Sequence, residues 1–175
     1  MTKNIVLIGF MGCGKSTVGR KLANALSFEF QDTDAMIEEA YGKTISKMFE
    51  EDGEEFFRAA ETALLKKLSA EAEGVVLATG GGMPMRAENA ELMHEIGTVI
   101  FLEADIETIL ERLNHDTGRP LADGEDREKR LRPLYEQRLP VYRDVADMCL
   151  DTEGKSFYGI IEEVERYIGK PEGKR

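Results

Sequence analysis

Cysteine is scarce in this chain: Cys13 and Cys149 are the only two in 175 residues. Two lone cysteines give neither a disulfide framework nor metal-ligand spacing, and they suit a reducing cytoplasm. Histidine is as sparse. His94 and His115 fall on helices or their ends, without a partner spacing for a metal or a triad, and read as surface residues. No apolar run reaches the length of a membrane-crossing helix. The N-terminal apolar run is short and Lys15 interrupts the stretch after it, so no signal peptide is expected. Positive charge is in deficit, with 23 Lys and Arg against 34 Asp and Glu and a net charge of −11. Neither nucleic acid nor an anionic membrane attracts such a surface. Repeats, low-complexity tracts and linkers are missing too. What remains is a chain of 42% hydrophobic and 33% charged residues, long enough for one domain with a sizeable core.

One stretch stands out: Gly9-Phe10-Met11-Gly12-Cys13-Gly14-Lys15-Ser16-Thr17. It matches G-x-x-x-x-G-K-[ST], a loop that cradles the phosphates of ATP or GTP. Asn4 to Ile8 before it is a short β-branched run and reads as a buried strand. Val18, Leu22, Ala23 and Leu26 after it recur at helical spacing. Strand, glycine-rich turn and helix form the geometry the motif needs. Glycines turn backbone N–H groups inward and the helix N-terminus adds positive potential. Lys15 is then expected on the β- and γ-phosphates and Ser16 on Mg²⁺. Cys13 reads as a small tolerated side chain, with a reactive thiol as the alternative.

The rest of the chain alternates strands and helices. Phe28 to Phe30 reads as a second strand, and Asp32-Thr33-Asp34 closes it before a helix from Ala35 to Ala40. Those carboxylates suit a phosphate-handling centre, but Thr33 or Asp34 equally suits a helix cap. Thr44 opens a short segment that Gly53 ends, and Glu54 to Leu68 reads as a long helix. Arg58 and Glu61 lie three apart on it and read as a surface ion pair. Val75 to Ala78 is a strand of the kind buried on both faces, and Gly80-Gly81-Gly82 after it permit close approach of a ligand or backbone, or form a plain loop. Ala87 to Ile96 and Ile106 to Leu113 read as helices around a strand at Val99 to Leu102. Residues 115–126 lose apolar periodicity and carry Arg119. Arg127 to Val145 is charged and largely helical, with Pro133 starting or kinking it and Pro140 as a second break. A last strand near Val145 to Leu150 and a C-terminal helix to Ile168 complete the pattern, before a frayed tail at about 169–175. Five strands alternating with helices predict an α/β fold of three layers, α/β/α, on a central five-stranded parallel sheet.

Taken together, the phosphate loop, Asp32-Thr33-Asp34, Phe57-Arg58-Ala59-Ala60-Glu61, Gly80-Gly81-Gly82, Arg119-Pro120-Leu121 and Arg138 before Pro140-Val141-Tyr142 resemble the shikimate kinase family in order and spacing. The resemblance runs from the first strand to about Ile168. It implies a P-loop, nucleoside-monophosphate-kinase-like fold with a mobile lid at about 112–125 and an acceptor-binding segment at about 33–61. It implies transfer of a phosphoryl group from MgATP to the 3-hydroxyl of shikimate, with ATP and shikimate as the small-molecule partners and Mg²⁺ as cofactor. The implied catalytic residues are Lys15, Asp34 and Arg119, with Asp34 as general base. Gly12, Cys13, Gly14, Lys15, Ser16, Thr17, Arg112, Arg119 and Phe157 are implied for ATP, and Ser16 and Asp32 for the metal. Asp34, Arg58, Gly80, Gly81, Gly82 and Arg138 are implied for the acceptor, whose carboxylate suits guanidinium forks. The chain lacks an apolar strand ending in Asp-Glu, as expected if Asp32 serves the metal. A monomer in the cytoplasm, with no nucleic-acid or membrane partner, is expected.

The sequence departs from the family near Gly154-Lys155-Ser156-Phe157, where a proline often faces the adenine. Phe157 either stacks on adenine or begins the stripe of the last helix, and the second reading is favoured. Met83-Pro84 is bulkier than a minimal loop. The rivals are another small-molecule kinase on the same fold, for gluconate or a nucleoside monophosphate, and a silent nucleotide-binding regulator. A monophosphate acceptor would call for further arginines, and the intact Lys15, Asp34 and Arg119 speak against a silent protein.

Overall fold

In the computed structural model, residues 4–115 and 124–169 are described. Arg119, most of the expected lid and all but the first residue of the expected tail lie outside them. Five parallel strands form one sheet in the order β2-β3-β1-β4-β5. These are β1 (Asn4–Ile8), β2 (Glu29–Asp32), β3 (Val75–Ala78), β4 (Gly97–Glu103) and β5 (Met148–Asp151). The central strands are apolar at successive positions because helices cover both faces of a parallel sheet. Ile5 to Ile8 and Val99 to Leu102 are accordingly buried throughout.

Helix α1 (Lys15–Leu26) packs over β1, β2 and β3, and α8 (Phe157–Ile168) lies beside it. Helix α5 (Ala87–Ile96) covers β1 and β4, with α4 (Glu54–Glu71) along it. Helices α2 (Thr33–Tyr41) and α3 (Ile45–Glu51) join α4 around a small second cluster of Ile37, Met48, Phe57 and Ala60. That cluster fixes the segment carrying Asp34 and Arg58 onto the edge of the main core. Helices α6 (Ile106–His115) and α7 (Gly124–Val145) pack against each other beyond β4.

Two readings of local structure need correction. Asp32, rather than Thr33 or Asp34, caps α2: its Oδ1 accepts from the N–H groups of Asp34 at 3.0 Å and Ala35 at 3.2 Å. Pro140 does not break α7, which runs through both Pro133 and Pro140. Each proline removes one helical donor, leaving a carbonyl four residues earlier unmatched. Both prolines and the Lys129 and Glu136 that precede them are exposed, so water can serve those carbonyls.

Every strand points its C-terminal end to the same side, because all pairings are parallel. The chain steps from β1 to the far edge at β2, returns through β3, and then crosses to β4 on the other side of β1. A crevice forms where strand order reverses in this way, and ligands bind there. The loops after β1, β2 and β3 all open into it.

Candidate active site

The loop after β1 ends at Gly14, which sits at φ 97° as the residue preceding α1. A side chain there would be strained, and none caps the helix, so the first N–H groups of α1 are left for an anion. Lys15 folds back over the loop. Its ammonium donates to the carbonyls of Gly9 at 2.7 Å and Phe10 at 3.0 Å, 3.7 Å from Cys13 Sγ. Cys13 is buried, packed beneath Gly9, where a Cβ would lie 2.8 Å from its sulfur. Gly12 and Thr17 complete the loop, with Thr17 exposed at its rim. Ser16 donates through Oγ to Asp32 Oδ2 at 3.1 Å. Asp32 thus uses one oxygen to cap α2 and the other to reach the phosphate loop.

A cavity of about 280 Å³ adjoins Gly14 and Thr17, between Arg112 on α6 and Phe157 at the start of α8. Arg112 donates to the Gly12 carbonyl at 3.3 Å, so it is anchored to the phosphate loop. Phe157 begins the α8 stripe that continues with Ile160 and Val164, and its ring carries Lys21 Nζ at 4.3 Å. The two readings of Phe157 are therefore compatible: it starts the stripe and also walls the cavity. A larger groove of about 470 Å³ between α2 and α4 contains none of the residues at the strand ends.

The opposite side of the crevice is built from α4, the loop after β3, and α7. The three glycines of that loop have ordinary φ values, so close approach explains them. A Cβ on Gly80 would lie 2.9 Å from Asp34 Oδ1 and 3.0 Å from Glu61 Oε1. On Gly82 it would meet both terminal nitrogens of Arg58 at 2.7 Å, and on Gly81 it would come within 3.6 Å of Arg138 Nη1. Gly80 and Gly82 make room for charged side chains, whereas at Gly81 a Cβ would be in ordinary contact. The loop is held from behind: Gly80 N–H donates to Thr33 Oγ1 at 3.0 Å, and Asn89 Nδ2 donates to the Met83 carbonyl at 2.9 Å. Met83 itself is fully buried, which gives the bulky Met83-Pro84 turn a physical account as an anchor in the core.

Arg58 and Glu61 do form an ion pair, at 2.8 Å, but it is not on the surface. Glu61 is 0% exposed and its partner sits at the mouth of the crevice. Burial raises the Glu61 pKa, outweighing the opposing pull of Arg58, and Asp34 nearby raises it further. For Arg58 the balance is reversed: burial works against its charge, but Glu61 and Glu54 hold the pKa above the ordinary value. Removing either partner of a buried pair costs about 3–5 kcal/mol, because the other charge is left uncompensated. Glu61 thereby fixes the direction of the Arg58 guanidinium.

The residues expected from the sequence that fall within the described residues lie around this crevice: Gly12 to Thr17, Asp32, Asp34, Arg58, Gly80 to Gly82, Arg112, Arg138 and Phe157. Arg119 lies outside the described residues. Thr33, Glu61, Asn89 and Tyr142 were not expected there. The positive groups also explain how a chain of net charge −11 could attract an anion, since its cations converge on one cleft.

A family model described as shikimate kinase matches residues 11–168. The curated shikimate kinase of Thioalkalivibrio sulfidiphilus is 45% identical over 166 residues, covering 95% of this chain and 87% of that protein. That of Francisella tularensis subsp. novicida is 41% identical over 167 residues, covering 95% of both. The solved structure of the shikimate kinase from Acinetobacter baumannii in complex with shikimate superposes with a TM-score of 0.86 at 40% identity, covering 96% of this chain and 93% of that one. By the family match, the identities and the superposition, this chain belongs to the shikimate kinase family.

Proposed function

We propose that this protein transfers the γ-phosphoryl of MgATP to the 3-hydroxyl of shikimate, giving shikimate 3-phosphate and ADP on the route to chorismate and the aromatic amino acids. The observation that carries the residue assignment is the convergence of Arg58 and Arg138 on the glycine loop beside Asp34. Two guanidinium groups and one carboxylate at one wall suit an acceptor that is itself a hydroxylated carboxylic acid.

Lys15 and the backbone of Gly12, Cys13, Gly14, Ser16 and Thr17 hold the phosphates at the start of α1. Arg112 and Phe157 take the two faces of the adenine in the cavity between them. The Ser16 hydroxyl and Asp32 carboxylate are oxygen donors already in contact at 3.1 Å, which suits a hard ion such as Mg²⁺. With only these two side-chain oxygens at hand, phosphate and water would supply the remaining ligands of the ion. Bound Mg²⁺ neutralises charge on the phosphate oxygens. Arg58 and Arg138 grip the acceptor carboxylate, and Gly80 to Gly82 let its ring lie against the backbone. Asp34 orients the 3-hydroxyl and accepts its proton as the oxygen–phosphorus bond forms. Arg119, in a lid at about 112–125, meets the transferring phosphoryl.

The chain works as one domain, with the acceptor carried by residues 33–61. No helix among the described residues is long and apolar enough to cross a membrane. A monomer in the cytoplasm without a nucleic-acid partner fits the acidic charge and the two separate thiols, one buried and one exposed.

The test is the split between substrates. Arg58→Ala and Arg138→Ala should each raise the KM for shikimate by about 10- to 100-fold while moving the KM for ATP less than about threefold. Equal losses for both substrates would remove these arginines from the acceptor site.

A further inference from the structure

We propose that Tyr142 is a positioning residue of the acceptor site, fastening the Gly81 carbonyl to α7, the helix that carries Arg138; this rests on the assignment of Arg138 to the acceptor. Tyr142 lies on α7 one turn after Arg138 and is fully buried. Its ring stacks on Phe101 of β4, with centroids 5.2 Å apart and planes 26° from parallel. Packing alone would be served by phenylalanine, so the hydroxyl needs its own explanation. It donates to the carbonyl of Gly81 at 2.6 Å. Arg138, one turn earlier on the same helix, brings its Nη1 to 3.6 Å from where a Cβ on Gly81 would lie.

The result is a fixed joint: the Tyr142 hydroxyl fastens the Gly81 carbonyl to α7. A hydrogen bond is stronger where water is excluded. Burial pushes the phenol well above its ordinary pKa, so the proton stays in place across the working range. The bond also comes from a distinctive direction. Thr33 holds the Gly80 N–H and Asn89 holds the Met83 carbonyl, so α2 and α5 secure the loop at those points. Tyr142 secures it from α7, the helix that brings Arg138. It therefore sets the distance between the acceptor arginine and the glycine backbone facing it. Arg138 also lies 5.9 Å from the Phe10 ring of the phosphate loop, so the same helix borders the donor half of the crevice.

Tyr142→Phe keeps the ring and deletes the hydroxyl. The KM for shikimate should rise about tenfold, kcat should change less than KM, and the KM for ATP should stay within about twofold. The urea midpoint should remain near that of the parent. An unchanged KM for shikimate, or equal rises for both substrates, would overturn the inference. A cycle with Arg138→Ala separates its two premises. Tyr142→Phe should have a much smaller effect in the Arg138→Ala background, since the group it positions is gone. Full additivity would overturn the link to Arg138. A strong effect of Arg138→Ala with a silent Tyr142→Phe would overturn only the role of Tyr142. An unchanged KM in Arg138→Ala would overturn the acceptor reading itself, and this inference with it.

Discussion

Lys15→Ala should reduce phosphoryl transfer by about 10²- to 10³-fold, the size expected for a cationic donor aimed at charge that builds in the transition state. In the structure its ammonium rests on the Gly9 and Phe10 carbonyls, at the mouth of the loop. Neutral carbonyls hold a charge less firmly than phosphate oxygens do, so the side chain is ready to exchange one set of partners for the other. Lys15 is half-buried and pairs with no carboxylate among the described residues, so its loss should leave the fold intact. The check is the rate of ADP formation beside a thermal melt. A melt near that of the parent with transfer lost is the expected result. Transfer within about tenfold of the parent would remove Lys15 from the chemistry.

Asp34→Asn should lower kcat by about 10²- to 10⁴-fold, the range associated with a positioned acid or base. It should leave nucleotide affinity largely unchanged, because Asp34 lies against Gly80 after β3, whereas Ser16, Lys15 and Asp32 cluster at the loop after β1. The amide has nearly the same shape but does not accept a proton at neutral pH, so position and proton transfer are separated. Titration with an ATP analogue alongside turnover reads both. Near-normal turnover would mean that Asp34 neither takes the proton nor orients the hydroxyl. A parallel loss of nucleotide affinity would place it on the wrong side of the crevice.

The place of Lys15 was legible because its signal is local, whereas Asp34 suits a helix cap as well and its role comes only from the family resemblance. A β-branched run, glycines at fixed places and Lys-Ser-Thr at a helix start dictate one geometry whatever the rest of the chain does. The bounds of α5 at Ala87 and Ile96 were readable for the same reason, with Gly97 ending the helix. Glu61 was not legible. Three-residue spacing puts it on the same helix face as Arg58, but spacing alone does not say whether that face meets water or the crevice. The packing of α4 on α5 and the gap left by Gly80 settle that, and both depend on contacts distant in sequence. Tyr142 was hidden in the charged, proline-interrupted stretch of α7, where only the approach of the Gly81 carbonyl gives its hydroxyl a purpose. Asp32 was assigned to the metal by the family resemblance and missed as a cap, because one carboxylate serving two neighbours through separate oxygens leaves no extra mark in the sequence.

The acceptor side also shows how little of the site is made by its own arginines alone. Arg58 is aimed by a buried glutamate, the glycine loop is fixed by Thr33 and Asn89, and the small cluster around Ile37, Met48 and Phe57 carries the whole segment. Contacts of this supporting kind hold catalytic groups to within fractions of an ångström. Rate losses from changes in that layer are expected to fall on shikimate before ATP.

The most direct measurement is ADP release from MgATP by the purified protein with and without shikimate, and with gluconate as a second acceptor. Release should saturate with shikimate, stay near background without an acceptor, and not be raised by gluconate. Release that ignores shikimate, from protein that still binds ATP, would contradict the assignment of shikimate as the acceptor.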